Sequence, residues 1–533
     1  MNRYLRPWAV PALSILVFFL AGIALIPQPG LQNDELFWAS PLYSPDAAFY
    51  WITVGATRIP FMVMSYSGAL KTWLYAALFE FFVPGRWSVR IPVLLMGMGV
   101  IWLTWVWVRR IAGPRAAAIA TVLLATDTVF LLTDTFDWGP VALQHLLLMS
   151  GLGAFQTWLR GAARWPLALA FFLWGLGMWD KALLIWPLGA LALAAICVFP
   201  REVMRRLRPA PTAIALLTFL LGATPLVWYN LDRNGETAAA NANFTPEGIA
   251  AKFAVLRSTI DGTALYGYML YEDAGANRRV PRTRVERASV WISTHFGNHR
   301  KNWMLPACLA ALLGFPFLWG TPAFRPLLFL LIAIAVEWLQ MALTKGAGGA
   351  AHHAILLWPF PLVFVGIAFS AVADRIPRFG APAVAIAVAF LAATNLLATN
   401  RYLATFAVNG AAGGWTDAIY TLANSVESDT ASWIGLVDWG YLTQLELLHE
   451  GDLPLFMADP GAPPAEIRRQ IDDPRRLFIQ HTDDKQIFPG VNDRFRQAAA
   501  AIGFAERLVR VVRDRNGRPV YEIFRFVPAP PPF

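Results

Sequence analysis

Apolar runs of about 20 residues dominate the sequence, and this is the length at which a helix crosses a hydrocarbon core of about 30 Å. Because a backbone exposed to lipid must satisfy its own hydrogen bonds, such runs fold as membrane-spanning helices. Charged residues make up only 15% of the 533 residues and the mean hydropathy is +0.47, whereas soluble domains average about 25% charged residues. The chain is therefore predicted to be an α-helical polytopic membrane protein.

The hydropathy pattern predicts about eleven membrane spans. They cover residues 9–27, 89–108, 115–133, 140–159, 165–179, 182–199, 212–229, 303–320, 326–343, 354–373 and 380–399. A cleaved signal peptide is the alternative for the first span. Its apolar run is long for a signal sequence and has no clear small-x-small cleavage site, so we expect the span to be retained.

Basic residues mark every second short loop between these spans. They are Arg3 and Arg6 before the first span, Arg109, Arg110 and Arg115 after the second, Arg160 and Arg164 after the fourth, Arg201, Arg205, Arg206 and Arg208 after the sixth, Arg325 after the eighth, and Arg375 and Arg378 after the tenth. The positive-inside rule then predicts an inner (cytoplasmic) membrane protein with a cytoplasmic N-terminus and an external C-terminus. Much of the net charge of +9 lies in these loops, so we expect no nucleic-acid partner.

Three long segments are predicted to lie outside the membrane on the outer side. Residues 28–88 form a first outer loop, whose amphipathic segments around 46–59 and 68–83 are expected to lie along the interface. Residues 230–302 form a second outer loop. The third segment is the C-terminal part of the chain. We therefore divide the chain into a transmembrane domain, residues 1–400, and an extracytoplasmic soluble α/β domain, residues 401–533.

The soluble domain shows strand patterns of its own. Apolar, β-branched and aromatic residues at 433–437 and 477–480 predict two strands. Residues 507–513 and 520–527 predict a β-hairpin, because Asn516-Gly517 between them suits a turn with a positive φ.

Ionisable residues beside membrane spans are energetically costly and therefore informative. In the predicted topology nearly all of them fall at the outer end, although they come from separate loops. They are Asp34 and Glu35, Asp134, Asp137 and His145, Asp180 and Lys181, and Lys345, His352 and His353. This pattern indicates one site that faces outward. Asp127 and Glu337, inside predicted spans, are exceptions to which we assign no role.

Asn33-Asp34-Glu35 is the motif with most weight. Adjacent side chains on a helix diverge by about 100°, so we expect one catalytic carboxylate and one supporting group. The alternative is a pair of solvated loop acids. Asp134 and Asp137 are spaced i, i+3 and would share a helical face. They would bind a cation or perturb each other's pKa, or else only end a helix in water.

His352-His353 suggests either a metal or an anionic head group. Adjacent histidines point apart on a helix and the i, i+4 zinc spacing is absent, which favours the head group. One histidine with distant carboxylates would still bind a divalent cation. Lys71 suits a lipid phosphate, with snorkelling to the surface as the alternative.

The second outer loop carries a cluster of arginines. The cluster consists of Arg278, Arg279, Arg282, Arg284 and Arg287. Guanidinium groups suit phosphate or carboxylate groups on a substrate or on an outer-leaflet lipid, and a solvated charged face is the alternative. No Gly-x-x-x-x-Gly-Lys phosphate loop is present, which disfavours an ATP-driven machine.

Four motifs occur in an order typical of one family. Asn33-Asp34-Glu35 follows the first span, and Ser65 to Tyr75, with Tyr66, resembles a His/Lys-Pro-Pro-Leu-x-x-Trp-Leu segment in which Gly68 to Lys71 replace the prolines. The others are Gly175 to Lys181, similar to Gly-Leu-x-x-x-x-Lys, and His352-His353 followed by Pro359 and Pro361. Over about residues 1–400 the chain resembles the C-type membrane glycosyltransferases, in particular the protein O-mannosyltransferase and lipid A aminoarabinose transferase group. In that family the first outer loop holds interfacial helices.

The resemblance implies transfer of a sugar from a polyprenyl-phosphate donor to a hydroxyl of a glycolipid, glycan or protein of the cell envelope. Lipopolysaccharide modification and protein glycosylation are the processes implied. Asp34 would be the general base, with Glu35 and Asp137 orienting it or holding a metal. The substrate-binding residues would be Lys71, Lys181, His352, His353, Asp134 and Tyr66. No nucleotide is implied, no cofactor is certain, and a divalent cation stays open.

Three other classes remain as alternatives. A multi-pass transporter or flippase for a lipid-linked or anionic solute would place ionisable groups near the membrane midplane, whereas most lie at one face here. A lipid-linked polysaccharide ligase or polymerase would be chemically close but differently folded. In a membrane scaffold, the outer acids would be individually dispensable.

Overall fold

The computed structural model describes residues 8–161, 163–427 and 433–529, so Arg3 and Arg6 lie outside the described residues. The membrane part contains α1 (Ala9–Leu25), α2 (Asn33–Leu36), α3 (Leu70–Phe79), α4 (Arg86–Thr126), α5 (Thr128–Thr133), α6 (Val141–Arg160), α7 (Trp165–Asp180), α8 (Ile185–Val198), α9 (Pro200–Arg206), α10 (Pro209–Gly222), α11 (Thr224–Asp232), α12 (Glu236–Asn241), α13 (Ile249–Ile260), α14 (Arg284–His295), α15 (Met304–Gly314), α16 (Phe324–Leu343), α17 (Ala351–Ala354), α18 (Phe360–Arg375) and α19 (Gly380–Asn409).

The C-terminal part contains α20 (Ala418–Glu427), α21 (Leu442–Leu448), α22 (Pro464–Ile471) and α23 (Val491–Ala500). The strands are β1 (Tyr50–Val54), β2 (Thr57–Met64), β3 (Ser67–Gly68), β4 (Ile434–Leu436), β5 (Leu455–Met457), β6 (Leu477–His481), β7 (Phe504–Arg513) and β8 (Pro519–Pro528). Short 3-10 helices cover Ser40–Leu42, Pro45–Ala47, Ala182–Leu184, Gly275–Asn277, Phe315–Leu318, Ile355–Leu357 and Gly413–Trp415.

Helical structure overlaps each predicted span, but the predicted number of spans is not confirmed. Within the described residues, α4, α16 and α19 are each long and apolar enough to cross a membrane, and the number rises to six if three bent helix pairs count as one span each. The helix α4 is interrupted at Gly113, whose φ of 86° and ψ of 175° are not helical. Glycine and proline breaks of this kind divide the apolar runs into short helices.

The basic loops lie together at one end of the helix bundle. Their contacts are those of Arg110 with Thr157, Arg206 with Leu159, Arg325 with Val198, and Arg115 with Asp374. These contacts join the loops that follow the second, fourth, sixth, eighth and tenth predicted spans, as the alternation of charge predicts. That this end faces the cytoplasm stays a prediction.

The first outer loop contains a hairpin that the sequence analysis did not predict. The segment 46–59 contributes to an antiparallel pair of β1 and β2, and that this segment lies along the interface stays a prediction. Gly55, with a φ of 62°, allows the turn, and the β-branched run Ile52-Thr53-Val54 favours extended backbone. The strand β3 completes this sheet. The second predicted segment, 68–83, does contain a helix, α3.

The C-terminal part is an α/β unit around a five-stranded sheet with the order β5-β4-β6-β8-β7. The strand β4 pairs in parallel with β5 and β6, whereas β8 is antiparallel to β6 and β7. The predicted strands at 433–437 and 477–480 and the predicted hairpin are confirmed, and Gly517 in its turn has a φ of 83°. Opposite faces of the sheet bury two separate apolar clusters. The division at residue 400 stays a prediction; α19 continues to Asn409.

Arg90, near the start of α4, joins the first helix to the first outer loop. Its side chain is 0% exposed. The guanidinium donates to both carboxylate oxygens of Glu35, at 2.7 and 2.9 Å, and to the backbone oxygens of Ile26, Pro29 and Gly30 at 2.6–3.1 Å. These contacts use the full set of guanidinium donors. The end of α1 and the acidic motif are therefore fixed relative to each other.

We expect Arg90→Met to destabilise the protein by about 3–5 kcal/mol, because it leaves the Glu35 carboxylate buried without a partner. The measurement is thermal or denaturant unfolding of purified protein in detergent. Arg109→Met, on the same helix but exposed, is the matched control and should leave the stability unchanged. The double substitution Arg90→Met and Glu35→Gln should recover part of the loss. Equal stability of Arg90→Met and wild type would contradict this role.

Candidate active site

The acidic motif is built as the start of a short helix. Gln32 caps α2, and its side-chain oxygen accepts from the backbone N–H groups of Asp34 at 2.6 Å and Glu35 at 3.2 Å. Glu35 turns inward and forms the ion pair with Arg90. Asp34 remains partly exposed, and its carboxylate accepts a long hydrogen bond of 3.4 Å from Asn33 Nδ2. Within the described residues Asp34 has no ion-pair partner, so its carboxylate, unlike that of Glu35, is not committed to a cation.

Asp137 and Lys71 form a second buried ion pair. The Lys71 ammonium donates to Asp137 Oδ2 at 3.0 Å, and Asp137 Oδ1 accepts from the backbone N–H of Val141 at the start of α6. Burial opposes the charge of Lys71, but the carboxylate of Asp137 raises the pKa of Lys71 above its ordinary value. The ammonium is buried beside the rings of Trp38 and Tyr75. Lys71 therefore does not snorkel to the surface, and its charge is committed to Asp137.

Lys181 and His352 meet at the turn that follows Asp137. A Cβ added at Gly139 would lie 3.4 Å from Lys181 Nζ and 3.4 Å from the ring of His352. Trp138 Nε1 donates to His352 Nδ1 at 2.8 Å, so the neutral imidazole carries its proton on Nε2. Unlike Lys71, Lys181 forms no ion pair with any described side chain. Its charge is therefore available to an anionic ligand.

The backbone of Lys181 is held by the first outer loop. Ser67 and Lys181 form an antiparallel bridge, and the Ala182 N–H donates to the Tyr66 carbonyl at 2.8 Å. The hydroxyl of Ser67 donates to the backbone oxygen of Asp180 at 3.2 Å. The loop that carries the acidic motif thus also fixes the position of Lys181.

Aromatic side chains connect Asp34 with His352. Burial, followed by the negative charge of Asp34, raises the pKa of Tyr66 and raises the pKa of Tyr268 to about 12. The ring of Tyr268 lies 5.7 Å from that of Trp138, which holds His352. These interactions link Asp34, Tyr66, Lys181 and His352 in one region, where the charge of Asp137 also acts on Lys181.

Asp134 does not belong to this region. The helix α5 ends at Thr133, so the expectation that Asp134 and Asp137 share a helical face is wrong. Asp134 is 0% exposed and faces His145, whose Nδ1 lies 3.8 Å from Oδ1. That Asp134 binds substrate stays a prediction. His353 packs against His352, with 4.2 Å between ring centroids, at the edge of the site.

A divalent cation has no evident ligand set here. Across residues 8–161, 163–427 and 433–529, no three His, Cys, Asp or Glu side chains form a group that could hold a metal ion. Glu35 and Asp137 are held by Arg90 and Lys71. We therefore assign no residue to a metal.

Two structural partners of the acidic motif were not predicted. Arg90 lies inside the predicted span 89–108. A cation in an apolar run indicates a buried partner of opposite charge, so the sequence did carry a signal for this contact. Thr443, in α21 of the C-terminal part, donates from its hydroxyl to Asn33 Oδ1 at 2.8 Å. Asn33 in turn donates to Asp34. No sequence signal indicates this contact, because the two residues are 410 positions apart.

The fold of the chain resembles that of solved membrane glycosyltransferase structures of the C type. It is similar to ArnT from Cupriavidus metallidurans, in a crystal structure bound to undecaprenyl phosphate and in one in the apo state. Each match has a TM-score of 0.58 and 14% sequence identity, and covers 96% of this chain and 97% of that chain. The predicted family resemblance is thereby confirmed at the level of the fold.

A weaker match is the oligosaccharyltransferase of Archaeoglobus fulgidus, in a crystal structure with Zn and sulfate. The TM-score is 0.48 and the identity 14%, over 89% of this chain and 68% of that chain. No family model matches the sequence, and the comparison with curated proteins gives no match.

Proposed function

We propose that this protein is a membrane glycosyltransferase that moves a sugar from a polyprenyl-phosphate donor to a hydroxyl group at the outer face of the cytoplasmic membrane. The observation that carries the proposal is the arrangement around Gly139 and the acidic motif. Among the described residues, Asp34 is a carboxylate without a cationic partner and Lys181 is a cation without an ion pair. The first outer loop carries Asp34 and also holds the backbone of Lys181, which lies beside His352 at Gly139. The similar fold of ArnT, which has been solved with undecaprenyl phosphate, supports a lipid-phosphate donor.

Asp34 acts as the general base. The acceptor hydroxyl loses its proton to the Asp34 carboxylate as its oxygen attacks the anomeric carbon of the donor sugar. A bond forms between that carbon and the acceptor oxygen, and the bond from carbon to the phosphate oxygen breaks. Glu35 is a positioning residue rather than a catalytic one, because both of its oxygens accept from Arg90.

Lys181 and His352 bind the departing lipid phosphate. The phosphate gains negative charge as the sugar leaves, and a fixed cation at that position stabilises the transition state electrostatically. The Nε2–H of His352 supplies a further donor, because Nδ1 is occupied by Trp138. Asp137 holds Lys71 in place through their buried ion pair. The acceptor is a glycolipid, glycan or protein hydroxyl of the cell envelope.

Asp34→Asn is expected to lower the transfer rate by about 10²–10⁴-fold, the range for loss of a positioned base. The assay uses purified protein in liposomes with radiolabelled polyprenyl-phosphate sugars and extracted envelope lipids. Asp46→Asn, a neutralised exposed acid in the same loop, is the control and should keep full activity. Full activity of a folded Asp34→Asn variant would refute the base assignment. Solute uptake into vesicles without turnover of any lipid-linked donor would favour a transporter.

Lys181→Met is expected to weaken the binding of undecaprenyl phosphate and to lower the transfer rate, because the leaving phosphate loses its cation. A charge-assisted hydrogen bond contributes about 1.5–3 kcal/mol, which corresponds to a loss of about tenfold to a hundredfold. Binding is measured by microscale thermophoresis in detergent. Lys345→Met removes an exposed lysine and should leave binding unchanged. Equal affinity of Lys181→Met and wild type would remove Lys181 from the phosphate site.

Thr443→Val is expected to lower kcat about threefold to tenfold, since a neutral hydrogen bond contributes about 0.5–1.5 kcal/mol. The donor KM should not change, because Thr443 acts through Asn33 on the orientation of Asp34, and the unfolding midpoint should fall only slightly, as expected for the loss of one neutral hydrogen bond. Thr443→Ser keeps the hydroxyl and should restore kcat.

Ser40→Ala is the matched control for this substitution. It removes another hydrogen bond between the first outer loop and α21, the 2.7 Å contact with Glu446, without touching Asn33. If Ser40→Ala lowers kcat as much as Thr443→Val does, the effect belongs to domain docking and not to the Asn33 contact.

A further inference from the structure

A cavity lies apart from the residues of the proposed active site. It has a volume of about 510 Å³ and is formed by α14, the C-terminal end of α19 and the segment 272–278. None of Asp34, Lys181 and His352 lines it. Its size falls within the range of about 300–1,000 Å³ that is typical of sites for small organic ligands.

The lining of this cavity carries unneutralised positive charge. Arg278 and Arg401 both line it, and neither forms an ion pair within the part of the chain that the structure describes. Two acids also line it, but only Glu272 is paired with a cation. Arg278 and Arg401 together therefore outweigh the one remaining carboxylate, Asp273. Glu272 is paired with Arg300, and Asp273 accepts from the backbone N–H of Gly275 at 3.0 Å.

Arg401 has donors left for a ligand. One of its terminal nitrogens donates to Asn298 Oδ1 at 2.7 Å, whereas its Nε is buried and has no hydrogen-bond partner in the described structure. A buried donor without an acceptor is costly, more so when it is charged. An anion in the cavity would accept from Arg401 and would also relieve the repulsion that Arg278 exerts on it.

The surroundings of the cavity favour a lipid. The exposed aromatic residues are Trp291 of α14, at 54%, and Phe296 directly after this helix, at 58%, while Val290 and Thr294 of α14 line the cavity. Exposed aromatic rings on an amphipathic helix are typical of the membrane–water interface, the level at which lipid head groups lie.

We propose that this cavity binds the phosphate of an anionic lipid head group, with Arg278 and Arg401 as its ligands. The proposal is independent of the transferase reaction, because the cavity shares no residue with the proposed active site. It assigns to one member of the arginine cluster, Arg278, the phosphate-binding role that the sequence left open.

The test uses full-length protein, freed of lipid in a neutral detergent and titrated with phosphatidylglycerol or phosphatidylcholine under native mass spectrometry. We expect one phosphatidylglycerol to bind more tightly than phosphatidylcholine. Arg278→Gln and Arg401→Gln should each weaken its binding about tenfold or more. Arg284→Gln, an exposed arginine of the same cluster that does not line the cavity, should have no effect. Because Arg278 is exposed, its substitution leaves folding intact even if that of Arg401 does not.

Two results would overturn the proposal. Equal binding of phosphatidylglycerol by wild type, Arg278→Gln and Arg401→Gln would show that the cavity is not the binding site. Displacement of phosphatidylglycerol by inorganic phosphate that binds as tightly as the lipid would show a site for soluble phosphate compounds. Retention of the lipid against excess inorganic phosphate supports the head-group assignment.

Discussion

The ion pair between Arg90 and Glu35 is the interaction on which the rest of the site depends. Two fully buried charges are tolerable only when each is paired and hydrogen-bonded, and Arg90 meets this condition by also binding the backbone where α1 ends. The consequence is geometric. With Glu35 held inward, the divergence of neighbouring side chains directs Asp34 away from the bundle, so a structural ion pair determines the direction of the proposed catalytic base.

Ion pairing of this kind distinguishes two groups of charged residues in the site, those that neutralise each other and those that do not. Lys71 and Asp137 neutralise each other in a buried contact, as Arg90 and Glu35 do. Asp34 and Lys181 have no such partner among the described residues. Since an unpaired charge is costly beside a membrane, its retention indicates a ligand of the opposite sign or a proton to be moved. The sequence analysis gave most weight to Asp34 and Glu35, but it could not tell which of the charges are paired.

The predictable features are those that depend on residues near one another in the chain. Hydropathy located the helical segments, alternating arginines located one end of the bundle, and Asn516-Gly517 located the hairpin of the terminal sheet. The helical divergence of Asp34 and Glu35 predicted that only one of them would be available. The pairing of Lys71 with Asp137 and the contact of Thr443 with Asn33 join segments distant in sequence, so no local pattern specifies them. The hairpin at 50–64 was not predicted, because its segment was assessed only for its amphipathic character and not for the β-branched run Ile52-Thr53-Val54.

The C-terminal unit has a role that its own sequence does not indicate. Its helix α21 packs on α2, and the hydrogen bond from Thr443 to Asn33 reaches the residue beside the proposed base. Arg515, in the turn between β7 and β8, donates to the backbone oxygen of Gln28, which precedes the same motif in the chain. The acidic motif is therefore held between the bundle, through Arg90, and the C-terminal unit, through these two contacts. A base on a short helix needs such support from both sides, because a helix of four residues is not stable by its own hydrogen bonds.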